Sequence, residues 1–232
     1  MEGSKRLESP KENPHVANEV FGHATEASLE EIDYTSEPYQ ERGQEERYFQ
    51  DYVETLELTP EDFEKDILDI GGAEGAFAYY ALQHGINDHI VTLEPMKTES
   101  YKGIEVYHEP LEHNSIPKEN FDLVVSNHSM PGYLFNFEHS YEENLERMKL
   151  GIGEMLRVLR PGGEVRMQWS FGKLYPPQKE YAKVSFEVIR YLQSLGIETL
   201  FKEDEPQYER DADDNNTRVL KRWFRVRLIK PE

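Results

Sequence analysis

Residues 66–75 have the sequence Asp-Ile-Leu-Asp-Ile-Gly-Gly-Ala-Glu-Gly, and this stretch decides how the rest of the chain is interpreted. Its first half, Asp66 to Ile70, is short and mostly apolar, which is typical of a buried parallel strand. Three glycines interrupt the pattern, and a run of good helix formers, residues 76–84, follows. Glycine lets a backbone approach a ligand closely, and a helix N-terminus offers unpaired N–H groups. This order of strand, glycine turn and helix therefore predicts a binding site at the turn.

Two carboxylates accompany the turn. Asp69 lies near the end of the first strand, where it can orient the turn or meet a cationic ligand. Glu94 follows the next apolar run, residues 90–93. An acid at the end of the second strand, about 20 residues beyond the turn, is placed to accept hydrogen bonds from two ribose hydroxyls. The turn and the second acid together indicate a cofactor of the adenosine type.

Apolar runs and helical patterns alternate along the rest of the chain. Strands are predicted at residues 66–70, 90–93, 104–107, 121–126, 164–169, 197–201 and 223–229, and helices at 42–56, 76–84, 141–159 and 181–195. This alternation predicts an α/β fold with a mainly parallel sheet and helices on both faces. The last two strands have only an acidic loop, residues 203–216, between them and are expected to pair in antiparallel fashion, because a parallel crossover usually contains a helix.

Length and composition limit the possible classes of protein. The chain has 232 residues, which is enough for one large domain and a short extension. Residues 1–28 are polar and predicted to be a disordered acidic tail, residues 29–60 a helical cap segment, and residues 61–232 the main domain. There is no cysteine, hence no disulfide framework and no thiolate metal site. The sequence shows neither a signal peptide nor a membrane span, so a cytoplasmic protein is expected.

Charge narrows the range of partners. The formal net charge is −20, and the first 60 residues hold 15 acidic and 5 basic residues. Such a field repels phosphate backbones, so nucleic-acid substrates are not expected. The acidic balance also keeps the protein soluble, and it favours a small-molecule acceptor, in particular a cationic one such as an amine.

Four motifs in this order resemble those of the class I S-adenosylmethionine-dependent methyltransferases, over about residues 60–232. They are Asp69-Ile-Gly-Gly-Ala-Glu-Gly75, the acid Glu94, Phe121-Asp-Leu-Val-Val125 and Leu159-Arg-Pro-Gly-Gly-Glu-Val165. The link without a helix before the last strand is similar to the terminal hairpin of that family. The resemblance implies a Rossmann-like seven-stranded, mostly parallel sheet with an antiparallel last strand. It also implies S-adenosyl-L-methionine as cofactor, and O- or N-methylation of a small molecule by in-line displacement.

The resemblance further implies roles for the residues at matching positions. The implied cofactor-binding residues are Asp69, Gly71, Gly72 and Gly75 around the amino-acid part, Glu94 at the ribose, Pro95 and Met96 beside the adenine, Glu109, Pro110 and Leu111 in the adenine pocket, and Asn127 near the sulfonium. His128 is the candidate catalytic base, and a loop histidine bonded to the backbone is the alternative. Tyr34, Tyr133 and Tyr175 are candidates to shape the acceptor pocket.

Two residues depart from the family pattern. Ala73 stands where a glycine is usual, which requires a negative φ at that position. Glu74 is a charged residue within the turn, and we interpret it as a favourable acid at the start of the following helix.

Two other functions compete with methyl transfer. A nicotinamide-dependent oxidoreductase shares the glycine turn and the ribose acid, although its turn is expected as Gly-x-Gly-x-x-Gly. A catalytically silent methyltransferase-like domain that binds a basic protein is the other. Serine-hydrolase, zinc-protease and phosphate-loop motifs are missing from the sequence. Residues 211–215 are similar to the start of a calcium loop but lack its later glycine and glutamate, so no metal site is predicted.

Overall fold

All seven predicted strands assemble into one sheet in the computed structural model of the chain. The structure describes residues 44–96, 100–170, 176–203, 207–210, 218–221 and 223–232. The strands are β1 (Ile67–Ile70), β2 (Ile90–Leu93), β3 (Val106–Tyr107), β4 (Phe121–Ser126), β5 (Leu159–Ser170), β6 (Glu198–Glu203), β7 (Gln207–Arg210), β8 (Arg218–Lys221) and β9 (Trp223–Ile229). Seven of them form a sheet in the order β3-β2-β1-β4-β5-β9-β6. Only β9 runs antiparallel to its neighbours in this sheet, which confirms the predicted fold class.

The strand order places a switch point next to β1. The chain moves outward from β1 to β2 and β3 and then returns to the other side of β1 to form β4. Ligands of open α/β sheets bind outside the carboxyl ends of the strands at such a point. Asp69 is paired with Thr92 of β2 on one side and with Val125 of β4 on the other, so it lies in the middle of this region.

Helices cover both faces of the sheet. They are α1 (Gln44–Thr55), α2 (Ala76–Gln83), α3 (Tyr141–Val158) and α4 (Pro176–Ser194), with short 3-10 helices at Pro60–Glu64, Leu111–His113 and Gly132–Leu134. Leu68, Ile70 and Val124 belong to the larger core with side chains of α3 and α4. Ile67, Leu123 and Val125 belong to a second core with side chains of α1 and α2. Because side chains alternate along a strand, Asp69 lies on the same face as Ile67, toward α1.

Local capping explains where α3 begins. The Ser140 hydroxyl accepts a hydrogen bond from the Glu143 N–H, and the Glu143 carboxylate accepts one from the Ser140 N–H. This reciprocal pair satisfies two N–H groups at the helix start. Behind it, Met148, Ile152 and Met155 recur at helical spacing and are fully buried.

The structure differs from the sequence prediction in three places. Part of the predicted acidic loop 203–216 is the strand β7, which pairs with β8 in a separate antiparallel hairpin. Glutamine, glutamate and arginine make up most of β7, so no run of apolar residues marked it as a strand. The helix α4 begins at Pro176 rather than at residue 181, because proline suits the first turn of a helix. Strand β5 begins at Leu159 rather than at residue 164, with an irregular register against β4.

Several predictions lie outside the described residues. These are the disordered tail 1–28, the part of the cap segment before α1, Tyr34, Tyr175 and the calcium-loop-like sequence at 211–215. The described residues belong to one unit, residues 41–232. No helix within the described ranges is both long and apolar enough to cross a membrane.

Candidate functional site

The glycine turn lies at the carboxyl end of β1, and neighbouring side chains pack closely against it. A side chain at Gly71 would come within 1.9 Å of the Ser129 Oγ, and one at Gly72 within 2.0 Å of the Asp69 Oδ2. Gly71 also has a φ of +76°, a conformation that favours glycine. The turn therefore needs glycine at these positions for the protein's own packing.

The conformation of Ala73 contradicts the sequence prediction. Its φ is +51°, in the left-handed region, where a Cβ atom costs about 1–2 kcal/mol. The Ala73 N–H donates a hydrogen bond of 3.2 Å to the Glu94 carboxylate, which helps to hold this conformation. The interpretation of Glu74 was also wrong, because the N-cap of α2 is Gly75 and its first turn contains no acidic residue.

Glu94 joins the glycine turn to the end of β2. One carboxylate oxygen accepts the Ala73 N–H, and the other accepts the Met96 N–H at 3.0 Å. The side chain is nine-tenths buried. Each carboxylate oxygen can accept more than one hydrogen bond, so acceptor capacity remains for a ligand.

Asp69 is a fully buried carboxylate beneath the turn. Its Oδ1 accepts a hydrogen bond of 2.9 Å from the Tyr52 hydroxyl of α1, and its Oδ2 has no partner among the described residues. Burial raises the pKa of this carboxyl to about 7, while the Tyr52 hydrogen bond opposes the rise and the charge of Glu94 adds to it. Burial also raises the pKa of the Tyr52 phenol. A buried acceptor of this kind is ready for a donor or a cation.

Asn127 and His128 follow β4 at the same edge of the sheet, and both contact Asp51 of α1. The Asn127 Nδ2 donates to the Asp51 Oδ2 at 2.6 Å, and the His128 Nε2 lies 3.3 Å from the same oxygen. The hydrogen bond with His128 lowers the pKa of Asp51. The Asn127 Oδ1 is buried without a partner in the described part of the chain. His128 has a φ of +58°, so the backbone conformation that positions its ring is strained.

The segment after β3 contains two glutamates with different surroundings. Both oxygens of Glu109 accept hydrogen bonds from Ser115, one from its N–H and one from its hydroxyl. Glu112 has a side chain that is only 10% exposed; its Oε1 meets the Arg147 guanidinium at 3.1 Å. Its Oε2 is buried with no partner that the structure describes. Leu111, predicted to line a pocket, packs in the larger core.

The site thus combines a glycine turn at β1, a carboxylate at the end of β2 and polar side chains after β3 and β4. The family model described as a methyltransferase domain matches residues 68–167, from β1 into β5. This match, over 100 of the 232 residues, supports the predicted resemblance to the class I S-adenosylmethionine-dependent methyltransferases. S-adenosylmethionine is the cofactor that this match supports.

Solved structures of other proteins are similar to this chain. The YcgJ protein from Bacillus subtilis is 11% identical, with a TM-score of 0.54 over 77% of this chain and 99% of that one. The N-methyltransferase NodS from Bradyrhizobium japonicum is 20% identical, with a TM-score of 0.47 over 81% of this chain and 97% of that one. A search of curated proteins gives no match to the sequence.

Three residues of the candidate site were missed by the sequence prediction. Asp51 and Tyr52 belong to the helix predicted at 42–56, to which no site residue was assigned, and they contact residues at the ends of β4 and β1. Their signal was weak, since an acid beside an aromatic residue is common on amphipathic helices. Glu112 could have been found, because it is the second acid in the segment His108-Glu-Pro-Leu-Glu112. Within the described ranges, no group of three or more acidic or histidine side chains could hold a metal ion.

Proposed function

We propose that this protein transfers a methyl group from S-adenosylmethionine to a small-molecule acceptor. The supporting observation is a set of buried acceptor oxygens that have no partner among the described residues: Asp69 Oδ2, Glu112 Oε2 and Asn127 Oδ1. Asp69 belongs to β1, Glu112 to the segment after β3, and Asn127 to the segment after β4. Buried acceptors call for donors, and S-adenosylmethionine carries an ammonium group, ribose hydroxyls, an adenine amine and a positive sulfur. The residues present therefore fit this cofactor.

The amino-acid part and the ribose of the cofactor would be held at β1 and β2. Gly71, Gly72 and Gly75 expose backbone to the amino-acid part, with Asp69 beneath them. The remaining acceptor capacity of Glu94 would hold the two ribose hydroxyls, since its two bonded N–H groups already fix the carboxylate in place. This arrangement is preorganised, so the carboxylate loses little freedom on binding.

The adenine would lie between the segments after β2 and β3. Met96 is 68% exposed and, with Pro95, offers an apolar surface for one face of the ring. Pro110 and the backbone of Leu111 would border the other side. Glu112 is the better partner for the adenine amine, because its Oε2 is buried and has no partner among the described residues.

The bound cofactor would supply an electrophilic methyl group on a cationic sulfur. The chain's part is to align the acceptor with that methyl and to exclude water. Asn127 and His128 border this position at the end of β4, and α1 closes it from one side through Asp51 and Tyr52. His128 would take a proton from an acceptor that must lose one.

The acceptor is proposed to be a cationic or amine-bearing small molecule. The carboxylates of Asp51, Asp69 and Glu94 lie at these strand ends, and the whole chain carries a net charge of −20. A negative field of this size raises the local concentration of cations and lowers that of phosphate esters.

Calorimetry with the purified full chain tests the proposed function. S-adenosylhomocysteine should bind with one-to-one stoichiometry, and NAD should not bind. Binding of NAD instead would support the oxidoreductase alternative. Binding of neither would leave a silent domain, for which a basic protein partner would be the next candidate.

A further inference from the structure

Asp51 connects α1 to the end of β4 through one carboxylate oxygen. That oxygen accepts the Asn127 Nδ2 at 2.6 Å and lies 3.3 Å from the His128 Nε2. The Thr55 hydroxyl bonds the other oxygen at 3.4 Å. The family model begins at residue 68, so α1 precedes the part of the chain that the family pattern describes.

The contact with Asp51 fixes the orientation of the Asn127 amide. Since the amide nitrogen must face the carboxylate, the amide oxygen points away from Asp51. Asn127 is 6% exposed, and its Oδ1 has no partner in the described part of the chain. A buried amide oxygen held in this way is an acceptor that a ligand N–H group would satisfy.

Asp51 adds negative charge beside this acceptor. Its side chain is 46% exposed, so the carboxylate remains open to solvent while bonded to Asn127. The hydrogen bond with His128 lowers its pKa, which keeps it ionised at neutral pH. A charge next to an oriented neutral acceptor is suited to an ammonium group, since hydrogen bonds from charged donors are about twice as strong as neutral ones.

We infer that Asp51 and Asn127 together form a recognition element for an amine nitrogen of the acceptor. The element is shared between α1 and the end of β4. Asp51 acts both directly, as a counter-charge, and as a positioning residue that holds the Asn127 oxygen toward the ligand. This inference rests on the proposed function and extends it by naming the two residues that recognise the amine of the acceptor.

The ammonium group of the cofactor's own amino-acid part has the same chemistry, so the test must separate the two sources. Sinefungin and S-adenosylhomocysteine both carry that ammonium group. Only sinefungin has an additional amine where the transferred methyl would be. If Asp51 and Asn127 recognise the acceptor amine, the protein should bind sinefungin more tightly than S-adenosylhomocysteine. If they recognise the amino-acid part, they should contribute equally to the affinity for both ligands.

The experiment is calorimetry of both ligands with the full chain and the variant Asp51→Asn. The wild type should bind sinefungin about tenfold more tightly than S-adenosylhomocysteine, as expected for one charge-assisted hydrogen bond. Asp51→Asn should abolish this preference while leaving the affinity for S-adenosylhomocysteine within about twofold. Glu54→Gln removes an exposed charge from the same helix and should retain the preference.

Other results would overturn the inference. An equal loss for both ligands in Asp51→Asn would assign the element to the amino-acid part or to folding, and a retained preference would remove Asp51 from recognition. Asn127→Leu, of similar volume, should show the same selective loss and serves as the second variant if thermal unfolding shows that Asp51→Asn is not folded. Failure of the wild type to bind either ligand would instead reject the proposed function itself.

Discussion

The hydroxyl of Tyr52 donates a 2.9 Å hydrogen bond to the buried carboxylate of Asp69, and this bond joins α1 to the centre of the sheet. The Tyr52 ring also stacks on Phe77 of α2, with 4.4 Å between ring centroids. Helix, strand and glycine turn therefore depend on one another at this point. The helix α1 therefore contributes directly to the candidate site.

Tyr52→Phe should destabilise the fold by about 1–3 kcal/mol at pH 8, because it keeps the ring stacking and leaves the ionised Asp69 without a donor. Urea unfolding followed by circular dichroism measures the change. Tyr48→Phe, on the same helix with a side chain 38% exposed, should change stability by less than about 0.5 kcal/mol. Equal effects of the two variants would contradict a specific role for the Tyr52 hydroxyl.

Asp69 should make folding stability fall as pH rises through the acidic range. Its pKa is 3.8 in the reference state and about 7 in the folded protein. Below the lower value both states are protonated, and between the two values only the unfolded state releases the proton. The stability of the wild type relative to Asp69→Asn should therefore decrease from about pH 4 to about pH 7, by a few kcal/mol in all, and then level off. Parallel curves from urea unfolding at several pH values would show that Asp69 is not perturbed.

Glu94→Ala should weaken binding of S-adenosylhomocysteine by about 1–3 kcal/mol, because two charge-assisted bonds to the ribose would be lost. Calorimetry measures the affinity, and thermal unfolding shows whether the glycine turn survives without its bond to Ala73. Asp88→Ala provides the control, since Asp88 is an exposed acid before the amino end of β2. Unchanged affinity in a folded Glu94→Ala protein would refute the ribose assignment.

Glu112, and not Glu109, should recognise the adenine amine. Glu112→Gln is expected to weaken S-adenosylhomocysteine about tenfold, and Glu109→Gln to leave it nearly unchanged. The analogue with a carbonyl oxygen in place of the adenine amine should bind Glu112→Gln more tightly than the wild type, because the glutamine amide can donate to that oxygen and a carboxylate cannot. A loss confined to Glu109→Gln would return the role to the residue that the sequence resemblance indicated.

Arg166, which lies in β5, should stabilise the fold through its ion pairs with two buried carboxylates. It is buried and contacts Asp62 at 2.7 Å and Glu164 at 2.9 Å. Arg166→Leu removes the buried guanidinium that the two carboxylates share, although Asp62 keeps Lys65 and Glu164 keeps Arg227, and it should cost about 3 kcal/mol in the free energy of unfolding. Arg160→Leu removes a half-exposed arginine that also bridges two acids, and it should cost about 1 kcal/mol or less. Similar losses for the two variants, measured by urea unfolding, would argue against the burial effect.

Local patterns in the sequence were sufficient for the fold class. The apolar runs, the helical stripe of Met148, Ile152 and Met155, and the glycines after β1 each report on neighbours within a few residues. The hairpin of β7 and β8 could not be predicted in the same way, because its polar strands lack such a pattern. The roles of Gly71, Glu94 and Asn127 as cofactor contacts stay predictions.

The sequence by itself determined the order of strands and helices, the glycine turn and the position of Glu94 at the end of β2. These follow from short-range periodicity and from steric limits at single residues. Only the tertiary structure decided that Tyr52 contacts Asp69 and that Asp51 contacts Asn127. It also decided that the carboxylate of Glu109, and not that of Glu112, is hydrogen-bonded within its own loop. Asp51 and Asn127 are 76 positions apart in the chain. Contacts over such separations depend on how whole elements pack, and no local pattern of residues encodes them.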